Sequence, residues 1–192
     1  MFSSNKIHIV SITKLNRTML RVNCELDDHG LWYNGVEDVE VSLGGLGTAL
    51  GTYGWIASGD AGKIVIPAVS LSKLGDIMRG TYTPLADVLR HEYGHAIANM
   101  NKGLVRSRRF TAAFGATYDN EDEFEYSPEF HVSEYAATNA SEDFAETFML
   151  FLKHKGDLPT ALDWPDIRAK WLFIRRLCSN VRRGRARWND VS

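Results

Sequence analysis

Two histidines and a glutamate in the run His91-Glu92-Tyr93-Gly94-His95 have the types and spacing for metal-assisted hydrolysis. In a helix, four residues make about 1.1 turns at ~3.6 residues per turn, so both imidazoles leave one face and two nitrogens can hold one zinc ion. Glu92 then lies one position further round, where it reaches a water on the ion and not the ion itself. The flanking residues supply the helix. Thr83 before Pro84 reads as an N-cap with proline at the first helical position, and Leu85, Val88, Leu89, Ala96, Ile97 and Met100 recur at helical spacing. Asn101-Lys102-Gly103 reads as its stop, with the glycine as C-cap. A motif this short also arises by chance on a solvated helix face, so the metal reading calls for a third ligand.

The stretch from Val132 to Phe148 offers one. Phe144, Phe148, Phe151 and Leu152 form a helical apolar stripe, while Glu142 and Glu146 lie four apart on another face. Glu142 would complete a His2Glu site with one position open for water, and Glu146 could accept a hydrogen bond from a liganding imidazole and set its tautomer. Asn139-x-x-Glu142 could instead be a capping box in which the glutamate turns back on the helix start. The waiting pair of histidines favours the ligand.

Taken together, His91 to His95 and the downstream Tyr135-x-x-Thr138-Asn139-x-x-Glu142-x-Phe144-Ala145-Glu146 resemble the gluzincin-type zinc metallopeptidases. The similarity extends in particular to lethal-factor-like catalytic domains and to bacterial zinc-binding metallopeptidases with this Glu-Asp-Phe-Ala-Glu signature. It covers roughly Ile64 to Leu152, and the second motif is the more specific of the two. The resemblance implies one zinc per chain held by His91, His95 and Glu142, a general base at Glu92, and a transition-state stabiliser at Tyr135. It carries over no substrate, because the accessory domains through which a toxin protease reaches its target are not in this chain, and it says nothing about Met1 to Val41 or the C-terminus.

The elements around the motifs are weaker signals. Ile7 to Ile12 and Met19 to Leu26, separated by Lys14-Leu15-Asn16-Arg17, suggest a β-hairpin, and Glu37 to Leu43 reads as a half-buried strand. Gly44-Gly45-Leu46-Gly47 has neither phosphate-loop nor dinucleotide-loop spacing and reads as a loop or close strand packing. Lys63 to Val69 is the most strand-like run. Pro67 cannot donate to a ladder, which predicts an edge strand, and Ile64, Val65 and Ile66 then become candidates for binding an extended peptide. Leu71 to Met78 could be a short helix. His131, near Tyr135, is a candidate for lining the cleft. Asp119 to Tyr126 carries five carboxylates and reads as a solvated loop that could favour basic or neutral residues near a cut. A last helix starts near Asp166, with Ile167, Trp171, Ile174, Cys178 and Val181 as its apolar stripe and arginines elsewhere.

The expected fold is therefore α+β and zincin-like: a small N-terminal mixed β-sheet with an edge strand over the active-site helix, followed by a mainly helical C-terminal part. The 192 residues, 44% of them hydrophobic, fit one domain, with residues 1–82 as a mostly β sub-lobe, 83–192 mostly helical and a basic tail at 182–192. A net charge of −2 gives the protein as a whole no strong preference for nucleic acid or acidic surfaces, and nucleic acid is not expected as a partner. The partner expected is a protein or peptide substrate. Cys24 and Cys178 are too few for a disulfide framework and read as reduced. No run approaches a signal peptide or the ~18 apolar residues of a membrane span, so the reading is a cytoplasmic protein, or one exported without a cleaved signal. Two alternatives to a metalloendopeptidase stand. One is a binding module, either a catalytically silent, zinc-stabilised fold that could contact an anionic partner through the arginine-rich C-terminus or a nucleic-acid binder using that end. The other is a deformylase-like hydrolase, which shares the pentapeptide but takes a cysteine ligand, and Cys24 has no local motif to support it.

Overall fold

The computed structural model describes residues 9–33, 35–54, 61–70 and 83–183. Within them the chain is mixed α+β, with a small sheet in the N-terminal half and a mostly helical remainder. In order these are α1 (Ile12–Asp28), β1 (Glu40–Gly47), β2 (Thr52–Gly54), β3 (Lys63–Ser70), α2 (Leu85–Met100), α3 (Lys102–Val105), α4 (Arg108–Phe114), α5 (Ala140–Lys153) and α6 (Pro165–Arg182), with short 3-10 turns at Tyr135–Thr138 and Thr160–Leu162.

The N-terminal hairpin is not formed. Residues 12–28 are one helix whose N-cap, Ser11, accepts from the Lys14 backbone N–H at 3.3 Å, and Leu15, Val22 and Leu26 are buried at helical spacing. The polar run Lys14 to Arg17 that suggested a turn is mostly the first exposed face of α1. Several β-branched and polar residues weaken helix propensity only by tenths of a kcal/mol each, and packing of the apolar stripe against α2 outweighs that. Ile7 and His8, and the run from Leu71 to Met78, lie outside the described residues.

The sheet order is β1-β3-β2, with β1 parallel and β2 antiparallel to β3. The strand at Lys63 is therefore present but central, not an edge. Ile64 pairs with Val41 on one flank and Tyr53 on the other, Val65 with Ser42 and Thr52, and Ile66 with Leu43. Ile64 and Ile66 are buried. Pro67 misled for a physical reason: β2 ends opposite Val65, so proline falls beyond the doubly paired stretch, where its missing N–H costs little. The glycine run lies within β1. A Cβ on Gly44 would stand 3.0 Å from Val65 Cγ1 and one on Gly47 2.9 Å from Pro67 Cβ, so close strand packing holds and the loop reading does not.

Helix α2 starts one residue later than expected. Pro84 is its N-cap, without a side-chain cap bond, and its carbonyl accepts from the N–H groups of Asp87 and Val88. Asn101 ends the helix and Gly103 falls inside α3, so the glycine C-cap is not used. Both faces of α2 are covered, by the sheet and α1 on one side and by α5 on the other, which explains why most of its residues are buried. The α5 stripe of Phe144, Phe148, Phe151 and Leu152 is buried as expected. Each such side chain contributes about 1.5–3 kcal/mol of burial. Phe144 meets Phe110, Phe114 and Phe173, which locks α4 and α6 to α5.

Gly94 sets how closely α2 and α5 approach. A Cβ there would lie 3.2 Å from Ala145 Cα and 3.2 Å from Phe148 Cδ1. Glycine inside a helix costs about 1 kcal/mol relative to alanine, and here it permits the contact that brings the carboxylates of α5 to the histidines of α2.

Candidate metal centre

His91 and His95 leave one face of α2, one turn apart, with ring centroids 4.9 Å from each other. Their Nε2 atoms are 3.2 Å apart, and Glu142 Oε2 stands 3.1 Å from His91 Nε2 and 3.5 Å from His95 Nε2. One ligand atom from each of the three residues fits within 4.8 Å of the others. Glu142 Oε2 is buried, and despite the two close imidazoles it has no hydrogen bond of proper direction. Asn139 supplies half of a capping box, its Oδ1 accepting from the N–H groups of Ser141 and Glu142. The Glu142 side chain does not complete the box but turns to the histidines.

The far nitrogens of both imidazoles are occupied. His91 Nδ1 lies 2.9 Å from Glu146 Oε1, and Ser133 Oγ donates to Glu146 Oε2 at 2.7 Å. A carboxylate only accepts, so the His91 proton sits on Nδ1 and Nε2 is left for a second proton or a metal. His95 Nδ1 lies 3.0 Å from the Tyr118 hydroxyl. Burial, followed by the Glu142 charge, holds the Tyr118 phenol far above the ordinary tyrosine range, so it stays protonated.

The electrostatics are those of a cation site. Burial lowers the His91 imidazole, but Glu142 and Glu146 outweigh it and push it up to about 10. Burial raises Glu142, yet His91 and His95 outweigh that and hold its carboxyl below the usual carboxylate range. Converging lone pairs, an orphaned buried oxygen and imidazoles oriented by outer partners are what a His2Glu metal site requires, so these residues fit a metal ion.

Glu92 is buried and faces the same cleft. Burial pushes its carboxyl above the ordinary glutamate value, opposed by the two imidazoles and by a hydrogen bond from the Tyr53 backbone N–H. The strand beside Glu92 is thus β2. Gly51, just before it, leaves no room for a side chain, since a Cβ would meet Val88 Cγ1 at 2.7 Å and Glu92 Oε1 at 2.9 Å. Tyr53 fastens β2 to α2, its hydroxyl donating to Ala61 O and accepting from Asn99 Nδ2, each at 2.9 Å.

Tyr135 lies over His91 with ring centroids 5.8 Å apart, 55% exposed, its hydroxyl facing the Glu142 carboxylate. Burial and the carboxylates of Glu142, Glu92 and Glu146 push it up to about 12, so it remains a donor. His91, Glu92, His95, Tyr135, Glu142 and Glu146 are therefore brought together. Ile64, Val65 and Ile66 are not: their strand is flanked on both sides at Ile64 and Val65, and the cleft is rimmed instead by Ala49, Leu50 and Gly51. His131 is buried, packed on Phe124, Tyr126 and Phe130, and does not line the cleft.

Sequence reasoning did not assign Tyr118, Ser133 or Gly51. Ser133 lies two residues before Tyr135, in the stretch that carries the second motif, and its hydroxyl is the signal there for a partner of Glu146. Tyr118 and Gly51 carry no local signal. Among the described residues no helix is long and apolar enough to cross a membrane. No family model, curated protein or solved structure matches this chain.

Proposed function

We propose that this protein is a zinc-dependent metallopeptidase of zincin-like fold, in keeping with the gluzincin resemblance. The observation that carries the reading is the buried Glu142 oxygen set against two imidazole nitrogens, with Glu92 in the adjoining cleft. His91, His95 and Glu142 would hold the zinc. When bound, zinc supplies Lewis acidity that brings the pKa of a water towards ~7 and polarises a carbonyl.

The protein's own groups do the remaining work. Glu92, made more basic by burial, takes a proton from the attacking water and returns it to the leaving amine. Tyr135 donates its hydroxyl to the oxyanion that develops on the peptide carbonyl, a contribution of about 3 kcal/mol for a donor of this kind. Glu146, held by Ser133, and Tyr118 fix the two imidazoles. An extended substrate would lie along the cleft rim at Ala49, Leu50 and Gly51.

The test is elemental analysis of the purified chain, together with digestion of a peptide library by the parent and by Glu92→Gln. The expected result is one zinc per chain in both, with cleavage by the parent and a loss of about 10²–10⁴-fold in the variant. Zinc binding with no cleavage of any peptide would return the silent binding module.

A further inference from the structure

The open cleft beside His91 and Glu92 has a volume of about 690 Å³ and takes in the first turns of α2 at Pro84, Asp87 and Val88. Its walls there are Pro84, Val88 and Met149, and its far end carries Asp87 and Lys153, two charges that the hydrolysis above does not use. Asp87 lies four residues before His91 on the same face of α2, about 6 Å along the axis. The far end is therefore about one side chain's reach from the metal-facing histidine.

Lys153 comes from α5, and its Nζ donates to Asp87 Oδ2 at 2.7 Å. Asp87 is buried, and Arg90 holds its other oxygen. Arg90 is itself held by Glu25 on α1 through two parallel bonds of 2.7 Å, Nε to Oε2 and Nη2 to Oε1. Asp87 thus has a buried cation of its own before Lys153 arrives. The Lys153 side chain is 40% exposed, against 6% for Asp87, and an ammonium has three donors, of which Asp87 takes one. The result is a stretch of cleft with Pro84, Val88 and Met149 in its walls and a positioned cation with donors to spare, which suits an acidic group on a short methylene stem.

We propose that Lys153 sets the specificity of the cleft by binding a carboxylate on the residue that flanks the scissile bond. This rests on the metallopeptidase reading. It also reverses the preference expected from the acidic stretch, since none of Asp119 to Glu125 lines the cavity. The carboxylate has two possible sources, a Glu or Asp side chain or the free end of a peptide.

The experiment uses the zinc-loaded full chain and matched peptides that differ only at the flanking residue, Glu, Gln or Lys, each with an amidated end. A further pair carries Leu there as the last residue, with a free or an amidated terminus. The parent is expected to prefer Glu over Gln in kcat/KM by about tenfold or more, the scale of a charge-assisted hydrogen bond. Lys153→Met should abolish that ratio and Lys153→Glu should turn it towards the Lys peptide. A preference for the free-ended Leu peptide, with none for Glu over Gln, would assign the terminal carboxylate as the source. Binding of the same peptides to zinc-loaded Glu92→Gln, with and without Lys153→Met, separates the two ideas. Binding that favours the carboxylate and depends on Lys153, without cleavage by the parent, would remove the peptidase and keep the cavity assignment. Ratios that ignore Lys153, or peptides neither cut nor bound, would overturn the proposal and leave Lys153 as a clamp between α5 and α2.

Discussion

Glu142 and Asp143 are neighbours at the start of α5, and they live opposite lives. Asp143 is fully buried, with Lys170 Nζ at 2.6 Å from its Oδ2 and the Thr147 hydroxyl on its other oxygen. Lys170, also fully buried, donates in addition to Phe130 O at 2.5 Å and sits 3.6 Å from the Phe130 ring centroid. Burial dominates both groups, pushing Asp143 up to about 6 and Lys170 below the usual lysine range in spite of their pairing. Glu142 is partly open, and its inner oxygen has two imidazole nitrogens before it and no hydrogen bond. One carboxylate has every need met inside the protein and fastens α5 to α6. The other faces two imidazoles with which it could hold a metal ion. A carboxylate's function is decided by whether its partners are already there, not by its place in the sequence.

The widest separation between the two should come from single truncations. Glu142→Ala is expected to lower zinc affinity by more than the about 10–100-fold typical of losing an outer partner, while the chain stays folded. Zinc titration against a competing chelator measures it, and full occupancy would show that the residue is only part of the helix cap. Asp143→Ala should do the converse. It strands the Lys170 ammonium in the core and costs about 3–5 kcal/mol in urea unfolding, with zinc affinity of the folded protein kept within a few fold. Replacing both, Asp143→Leu with Lys170→Met, should recover most of that loss. Failure to recover would mean that the pair specifies the α5–α6 packing beyond its charge balance.

Glu146→Ala sharpens the comparison from a third position on the same helix. It leaves His91 Nδ1 and Ser133 without their acceptor, so zinc affinity should fall by about 10–100-fold, less than for Glu142. An equal loss for both would argue that Glu146, too, contacts the metal.

The smallest effect expected is a pH dependence at His131, beside the Lys170 end of the structural pair. Burial, helped by the Lys170 charge, lowers this imidazole to about 4, and the Ser127 backbone N–H donates to its Nδ1 at 3.3 Å, which only a ring unprotonated at that nitrogen can accept. The native state therefore favours the neutral ring. Its stability contribution is complete above the unfolded value near 6.5, and it is lost as pH falls towards about 4, because the unfolded chain takes the proton first. The unfolding free energy of the parent, read from urea titrations, should drop over that window by on the order of 1 kcal/mol, allowing for solvent screening near the loop. His131→Gln should flatten the slope, and a parent curve identical to the variant's would place the acid sensitivity elsewhere.

Much of the site could be read from the linear sequence. The four-residue spacing of His91 and His95, and of Glu142 and Glu146, determines which side chains share a helix face, because helical geometry is local and repeats over short distances. The Phe144, Phe148, Phe151 and Leu152 stripe likewise determined which face of α5 would be buried. Strands offered no such certainty. Whether Lys63 to Ser70 is central or at an edge depends on β1 and β2 elsewhere in the chain, and Pro67 reports only on its own missing donor. For the same reason α1 replaces the expected hairpin, since burial of Leu15, Val22 and Leu26 against α2 decides for helix where short apolar runs allow either answer. Only the tertiary structure could bring Tyr118 to His95, Gly51 to Glu92 and Lys153 to the end of the cleft. Those contacts join residues far apart in sequence, and their geometry is set by how closely α2 packs on α5 and on the sheet, which no local periodicity encodes.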